Sequence, residues 1–152
     1  MFSDAYLLVQ DEMQNIDDLF AEYELLFSLV NQREPDNVEI LALAALTHSF
    51  YNGLENIFTI IAKRIDAYTP TSASWHTDLL LSMGNETETR KAVLQITTIQ
   101  DLHDYLGFRH FFRHSYTNRI EWAKLQPLIT NMHKTWISTK RDLDVFIKTK
   151  AE

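Results

Sequence analysis

The first thirty residues place apolar side chains at Phe2, Tyr6, Val9, Met13, Ile16, Phe20, Tyr23, Phe27 and Val30, in unbroken steps of four and three. A strand would alternate every second residue, so this stripe predicts one amphipathic helix reaching Val30. Such a stripe has to be covered by other elements. With three glycines and three prolines in 152 residues, the chain lacks the turn density of an all-β domain, and the covering elements are expected to be helices.

The rest of the chain supplies them. A polar turn holding Pro35 precedes Asp36 and Asn37, either of which can cap a helix by accepting from free N–H groups of its first turn. That helix is expected to run to about Tyr68, before Pro70, and is apolar on more than one face, as befits a central helix with several neighbours. A loop, a short helix from Trp75 to about Met83 capped by Ser74, and a second loop opened by Gly84 come next. Thr98 and Asp101 read as a capping pair for a helix continuing to Ile120, and a last helix is expected near Leu125 with Pro127 in its first turn. Its Leu125, Leu128, Ile129, Met132, Trp136, Leu143, Phe146 and Ile147 form another stripe. No repeat or linker interrupts the chain, so the expectation is a single all-α domain over residues 1–152, an up-and-down bundle of four long helices plus a short one.

Composition narrows the chemistry. No Gly-rich phosphate loop is present, and the absence of cysteine excludes disulfides, thiolate nucleophiles and Cys-based metal sites. The acidic residues near the N-terminus do not suit a signal peptide, and no run approaches the ~18 apolar residues of a membrane span. A cytoplasmic protein with no membrane partner is the expectation. The net charge of −7 opposes nonspecific adsorption to nucleic acid, so any such role needs a local basic patch.

One segment answers that description. From Tyr105 to Ile120 there is no Asp or Glu, whereas Arg109, Arg113, Arg119, His110 and His114 all fall there. On an ideal helix, taking Arg109 as zero, Arg113 lies near 40°, Tyr116 near −20°, His110 near 100° and His114 near 140°. These residues are expected to share one broad face, with Phe108, Phe111, Phe112 and Ser115 opposite. A solvated face would interleave Glu or Asp with Lys; this one carries Arg, His and Tyr, which bind anions and titrate. Arg109 offers a permanent planar cation for a phosphoryl oxygen, and His114 a group able to move a proton near neutrality. RNA brings its own 2′-OH nucleophile, so cleavage of its phosphodiester requires no metal or other cofactor. Arg109 and His114 stand roughly 140° apart, however, and do not converge on one phosphate without a kink or a second chain. A two-fold homodimer would place two arginines and two histidines around one cleft.

The string Arg109-His110-Phe111-Phe112-Arg113-His114-Ser115-Tyr116 resembles the R-x4-H-x-Y motif of HEPN-superfamily proteins, and more narrowly of HepT-like ribonuclease toxins of HepT/MntA-type pairs. With seven arginines and six histidines, R-x4-H arises by chance roughly 0.3 times in such a chain; adding the tyrosine lowers this to about 0.01. YNGLENIF, SASWHTDLL and EWAKLQPLI extend the likeness over most of the chain. The resemblance implies an all-α homodimer with metal-independent endoribonuclease activity, tRNA being a target for some members. It also implies a minimal, MntA-like nucleotidyltransferase antitoxin that AMPylates the motif tyrosine, adding negative charge where RNA phosphate would sit. Carried over, Arg109 stabilises the phosphorane, His114 is the acid/base, Tyr116 is modified, and His110, Arg113, Asn52 and Glu55 are auxiliary.

Rival readings are a non-catalytic HEPN interaction or nucleotide-binding module that partners a nucleotidyltransferase, and a plain bundle whose basic face docks an acidic protein. His103, His110 and His114 fall within about 40° on the wheel, but no HExxH or ExxH accompanies them and no metal is expected. Trp75 and His76 offer a surface for a base, although packing is the commoner use of such a pair. His48 and His133 read as core or boundary histidines, and Tyr6, Phe20, Tyr23 and Phe27 as a core stripe.

Overall fold

A computed structural model describes residues 3–149. Four long helices, α1 (Ser3–Glu22), α3 (Asn37–Arg64), α5 (Ile96–His114) and α6 (Trp122–Thr149), carry two short ones, α2 (Glu24–Leu29) and α4 (Trp75–Ser82), with a 3-10 turn at Thr117–Arg119. The described residues contain no strand, and the all-α bundle expected from the stripes is the architecture found.

α3 is the central helix. Leu43, Ala44, Phe50, Tyr51, Leu54, Ile57, Phe58 and Ile61 are fully enclosed on it, and it packs against α1, α4, α5 and α6. Phe50 anchors the aromatic core, meeting Phe20 of α1 at 5.6 Å, Tyr105 of α5 at 5.3 Å and Trp136 of α6 at 6.3 Å, all edge-to-face. A Cβ at Gly53 would meet Ile16 at 2.9 Å, so a bare glycine lets α1 approach. Asp17 joins α1 to α6, accepting from Trp136 Nε1 at 2.8 Å and Lys140 Nζ at 2.6 Å.

Asp36 caps α3 as expected. Its side chain accepts from Glu39 N–H while the Glu39 carboxylate accepts from Asp36 N–H, each at 2.9 Å. Hydrogen bonds from Arg33 and from that backbone N–H hold the Glu39 carboxyl down to about 2.

Several boundaries differ from the expectation, each for a local reason. The first stripe is cut at Tyr23, where the chain leaves helical geometry (φ −106, ψ 23), and Tyr23 is 41% exposed rather than core. Phe2 lies outside the described residues. α3 stops at Arg64, not Tyr68, because Ala67 adopts a left-handed backbone (φ 52) and Tyr68 N–H turns back to Ala62 O. Ser74 precedes α4 without a side-chain cap; Ser72 instead donates to Asp78 at 2.6 Å. Thr98 and Asp101 do not cap α5. The helix starts at Ile96, and Asp142 of α6 reaches across to accept from Gln95 N–H and Thr98 Oγ1. α5 ends at His114 rather than Ile120, Ser115 being extended. α6 begins at Trp122, which puts Pro127 inside it rather than in its first turn.

The long connection between α4 and α5 is pinned by a buried cation. Arg90 forks onto Asp66 with Nε and Nη2, each at 2.8 Å, and also donates to the carbonyls of Asn85, Lys91 and Ser82. Removing one partner of such a pair strands the other, so Arg90→Met is expected to cost about 3–5 kcal/mol. Urea melts of both proteins check this; a loss below about 1 kcal/mol would contradict the clamp.

Candidate functional site

The inward stripe of α5 runs Thr98, Leu102, Tyr105, Phe112, and Arg109 occupies the turn between the last two. Its side chain is therefore directed at α3 and is only 12% exposed. Arg109 Nε donates to Asn52 Oδ1 at 3.1 Å, and Nη2 stands 3.6 Å from Glu55 Oε1. The expectation of one broad basic face is corrected here. Arg109 turns inward beside Phe112, whose ring meets His48 at 5.0 Å, whereas His110, Arg113 and His114 point to solvent.

Asn52 and Glu55 thus meet Arg109 directly. They belong to one stripe of α3, His48, Asn52, Glu55 and Thr59, set by steps of four, three and four. Asn52 Oδ1 accepts from Arg109, which turns its Nδ2 toward His48 Nε2 at 3.1 Å. His48 Nε2 must then accept, and the imidazole proton sits on Nδ1, a buried atom without a hydrogen-bond partner. Burial first, then the charges of Arg109 and Arg113, push His48 below its ordinary value and favour that neutral ring. Tyr51 Oη, one helical turn on, is likewise buried and unpartnered, and burial together with the Glu55 charge drives its ionisation far up.

Glu55 has a second partner. His76 Nδ1 of α4 donates to its Oε2 at 2.8 Å, and the Trp75 ring stacks on the imidazole with centroids 3.5 Å apart. One carboxylate, 9% exposed in its side chain, therefore holds a guanidinium from α5 and an imidazole from α4. From sequence alone His48 reads as core or boundary, and packing is the commoner role for Trp75–His76. The four-residue spacing from His48 to Asn52 was the available signal for the first; only the fold brings His76 across the 21 residues that separate it from Glu55.

At the open end of α5 the His110 and His114 rings lie 4.6 Å apart. Tyr116 is 76% exposed, outside the helix, with the Arg119 guanidinium 5.9 Å from its ring centre. The helix runs unbroken from Ile96 to His114, so the angular separation of Arg109 and His114 persists in one chain. Among the described residues no group of three or more His, Asp or Glu is arranged to hold a metal ion, His103, His110 and His114 included. His133, expected in the core or at its boundary, is exposed, with its ring edge-on to Phe20 and Phe27 at 4.7 and 4.5 Å.

A lowered folded pKa means stability that is present above His48's ordinary value of 6.5 and lost as the pH falls through the lower folded midpoint. In ring-proton NMR titrations His48 is expected to have its midpoint below 6.5 in the wild type and to move upward in Arg109→Ala. An unchanged midpoint would contradict the placement of Arg109 beside it.

No helix among the described residues is long and apolar enough to cross a membrane. Comparison with curated proteins and with solved structures gave no match. A family model described as HepT-like protein matches residues 42–150, a span holding Asn52, Glu55, His76, Arg109, His114 and Tyr116. That match covers well over half of the sequence, and the chain belongs to the HepT-like family.

Proposed function

We propose that this protein is a metal-independent endoribonuclease toxin that works as a homodimer in the cytoplasm and is silenced by a nucleotidyltransferase antitoxin. The observation that carries this reading is the HepT-like match across an α5 that seats Arg109 on a carboxylate and an amide while displaying His110, His114 and Tyr116 beyond it. The substrate class is RNA, with tRNA the first candidate. The 2′-oxygen attacks the adjacent phosphorus, the bond to the 5′-oxygen breaks, and a 2′,3′-cyclic phosphate and a 5′-OH result. His114 takes the 2′-OH proton and the facing His114 of the second protomer protonates the leaving oxygen. Arg109 stabilises charge on the phosphorane, with His110 and Arg113 assisting at the rim. Two-fold pairing of this face supplies what one helix does not, since Arg109 and His114 diverge within a single chain.

Tyr116 suits a modification target because it stands outside the helix and is open to a partner enzyme. Transfer of an adenylyl group from a nucleoside triphosphate to its Oη releases pyrophosphate and leaves a phosphodiester anion beside the basic face. That anion competes with RNA phosphate for the same cations.

One observation favours a second reading, a non-catalytic HEPN module docking a nucleotidyltransferase: the Arg109 cation already has an internal carboxylate partner. Incubation of total tRNA with the unmodified protein in EDTA separates the two. Wild type is expected to cut to cyclic-phosphate ends, while His114→Ala and Arg109→Ala lose at least a hundredfold in rate. No cutting by wild type across several RNAs would move the assignment to the docking module.

A further inference from the structure

Beyond Glu55 the same stripe of α3 continues through Thr59 to Lys63, and there it borders a cavity of about 240 Å³. Tyr68, Pro70 and Trp75 wall this cavity, Lys63, Thr59 and Thr69 add a cation and two hydroxyls, and no residue lining it is acidic. It is smaller than the roughly 300–1,000 Å³ of pockets for drug-sized ligands, a size for one planar ring system. Both large aromatics are 36–40% exposed, so their rings are open to a ligand entering the cavity.

The walls are held, not loose. Tyr68 follows Ala67, the one described non-glycine residue with positive φ, and that turn is fastened on one side by Tyr68 N–H to Ala62 O at 2.8 Å. On the other side Asp66 sits in the fork of Arg90. A left-handed alanine costs about 1–2 kcal/mol, and strain of this kind gathers where a binding surface needs a fixed geometry. Trp75 is set from behind by stacking on His76, which Glu55 holds at 2.8 Å. The carboxylate that seats Arg109 therefore also seats the back wall of the cavity. Asn52 and Thr59 are seven residues apart, about 10 Å along the helix, a distance that a short single strand spans.

We propose that this cavity is a nucleobase subsite, in which one unpaired base of an RNA strand stacks on Trp75 and Tyr68 while Lys63 meets its phosphate and Arg109 engages a neighbouring phosphate. The proposal rests on the RNA reading of the Arg109 site and extends it to substrate selection. Aromatic stacking is tolerant of base identity and favours unstacked loops over duplex, so the subsite selects single-stranded RNA. A free nucleotide has the same base chemistry, and the strand is distinguished from it by its dependence on Arg109.

The test uses a labelled 2′-O-methyl tetranucleotide, which binds but offers no 2′-OH to react, with fluorescence anisotropy as readout. Trp75→Ala is expected to weaken binding roughly tenfold and Trp75→Phe to restore most of it, with melting temperatures within a few degrees of wild type. Arg109→Ala weakens binding of the tetranucleotide but not of a nucleoside monophosphate. Equal binding by wild type and Trp75→Ala, or no binding by wild type, overturns the subsite. A monophosphate bound as tightly as the tetranucleotide, with no Arg109 dependence for either, overturns the strand assignment. If tRNA is not cut but tetranucleotide binding still depends on Trp75, the nuclease reading fails and the subsite stands.

Discussion

The carboxylate of Glu55 is the point on which the candidate site depends. It projects from the most enclosed helix of the bundle, where a lone ionised group would be costly, and two groups from two other helices meet it. Arg109 arrives from α5 and His76 from α4. Because α3 is packed against α1, α4, α5 and α6, the carboxylate is a fixed reference, and the guanidinium and imidazole take their positions from it.

That arrangement couples the core to the surface. Tyr51, one turn before Glu55, is wholly buried with an unpartnered hydroxyl, and His48 is kept neutral with its proton on an unpartnered nitrogen. Two unsatisfied polar atoms beside a buried ion pair are a destabilising combination that a purely structural core would replace with leucine or phenylalanine. Both lie on the face of α3 that meets Arg109. Stability is recovered elsewhere, in the Phe50 aromatic cluster, the Asp17 ties between α1 and α6, and the Arg90–Asp66 fork.

Most of the architecture was legible from the sequence because helical periodicity is a local signal. The stripes of α1, α3 and α6 and a cap at Asp36 or Asn37 all follow from residues a few positions apart. What was not legible came from tertiary partners. Thr98 reads as a cap until Asp142, 44 residues away, takes its hydroxyl. Nothing within residues 95–101 reveals that the first turn of α5 is capped by another helix. The end of α5 at His114 was missed because no glycine or proline marks it. The inward turn of Arg109 was in principle readable: extending the stripe Leu102, Tyr105, Phe112 through position 109 places it on the buried side. The family likeness points to Asn52 and Glu55, whereas the role of His76 emerges only in the fold.

The most direct measurement of the central claim is a double-mutant cycle on Glu55→Gln and Arg109→Gln, read by urea unfolding. If Glu55 seats Arg109 in a buried ion pair, the two losses will fail to add by about 1–3 kcal/mol, and the double variant will be more stable than the sum predicts. Additivity within about 0.3 kcal/mol would mean that the two side chains do not act on each other and would remove the basis for the site described above.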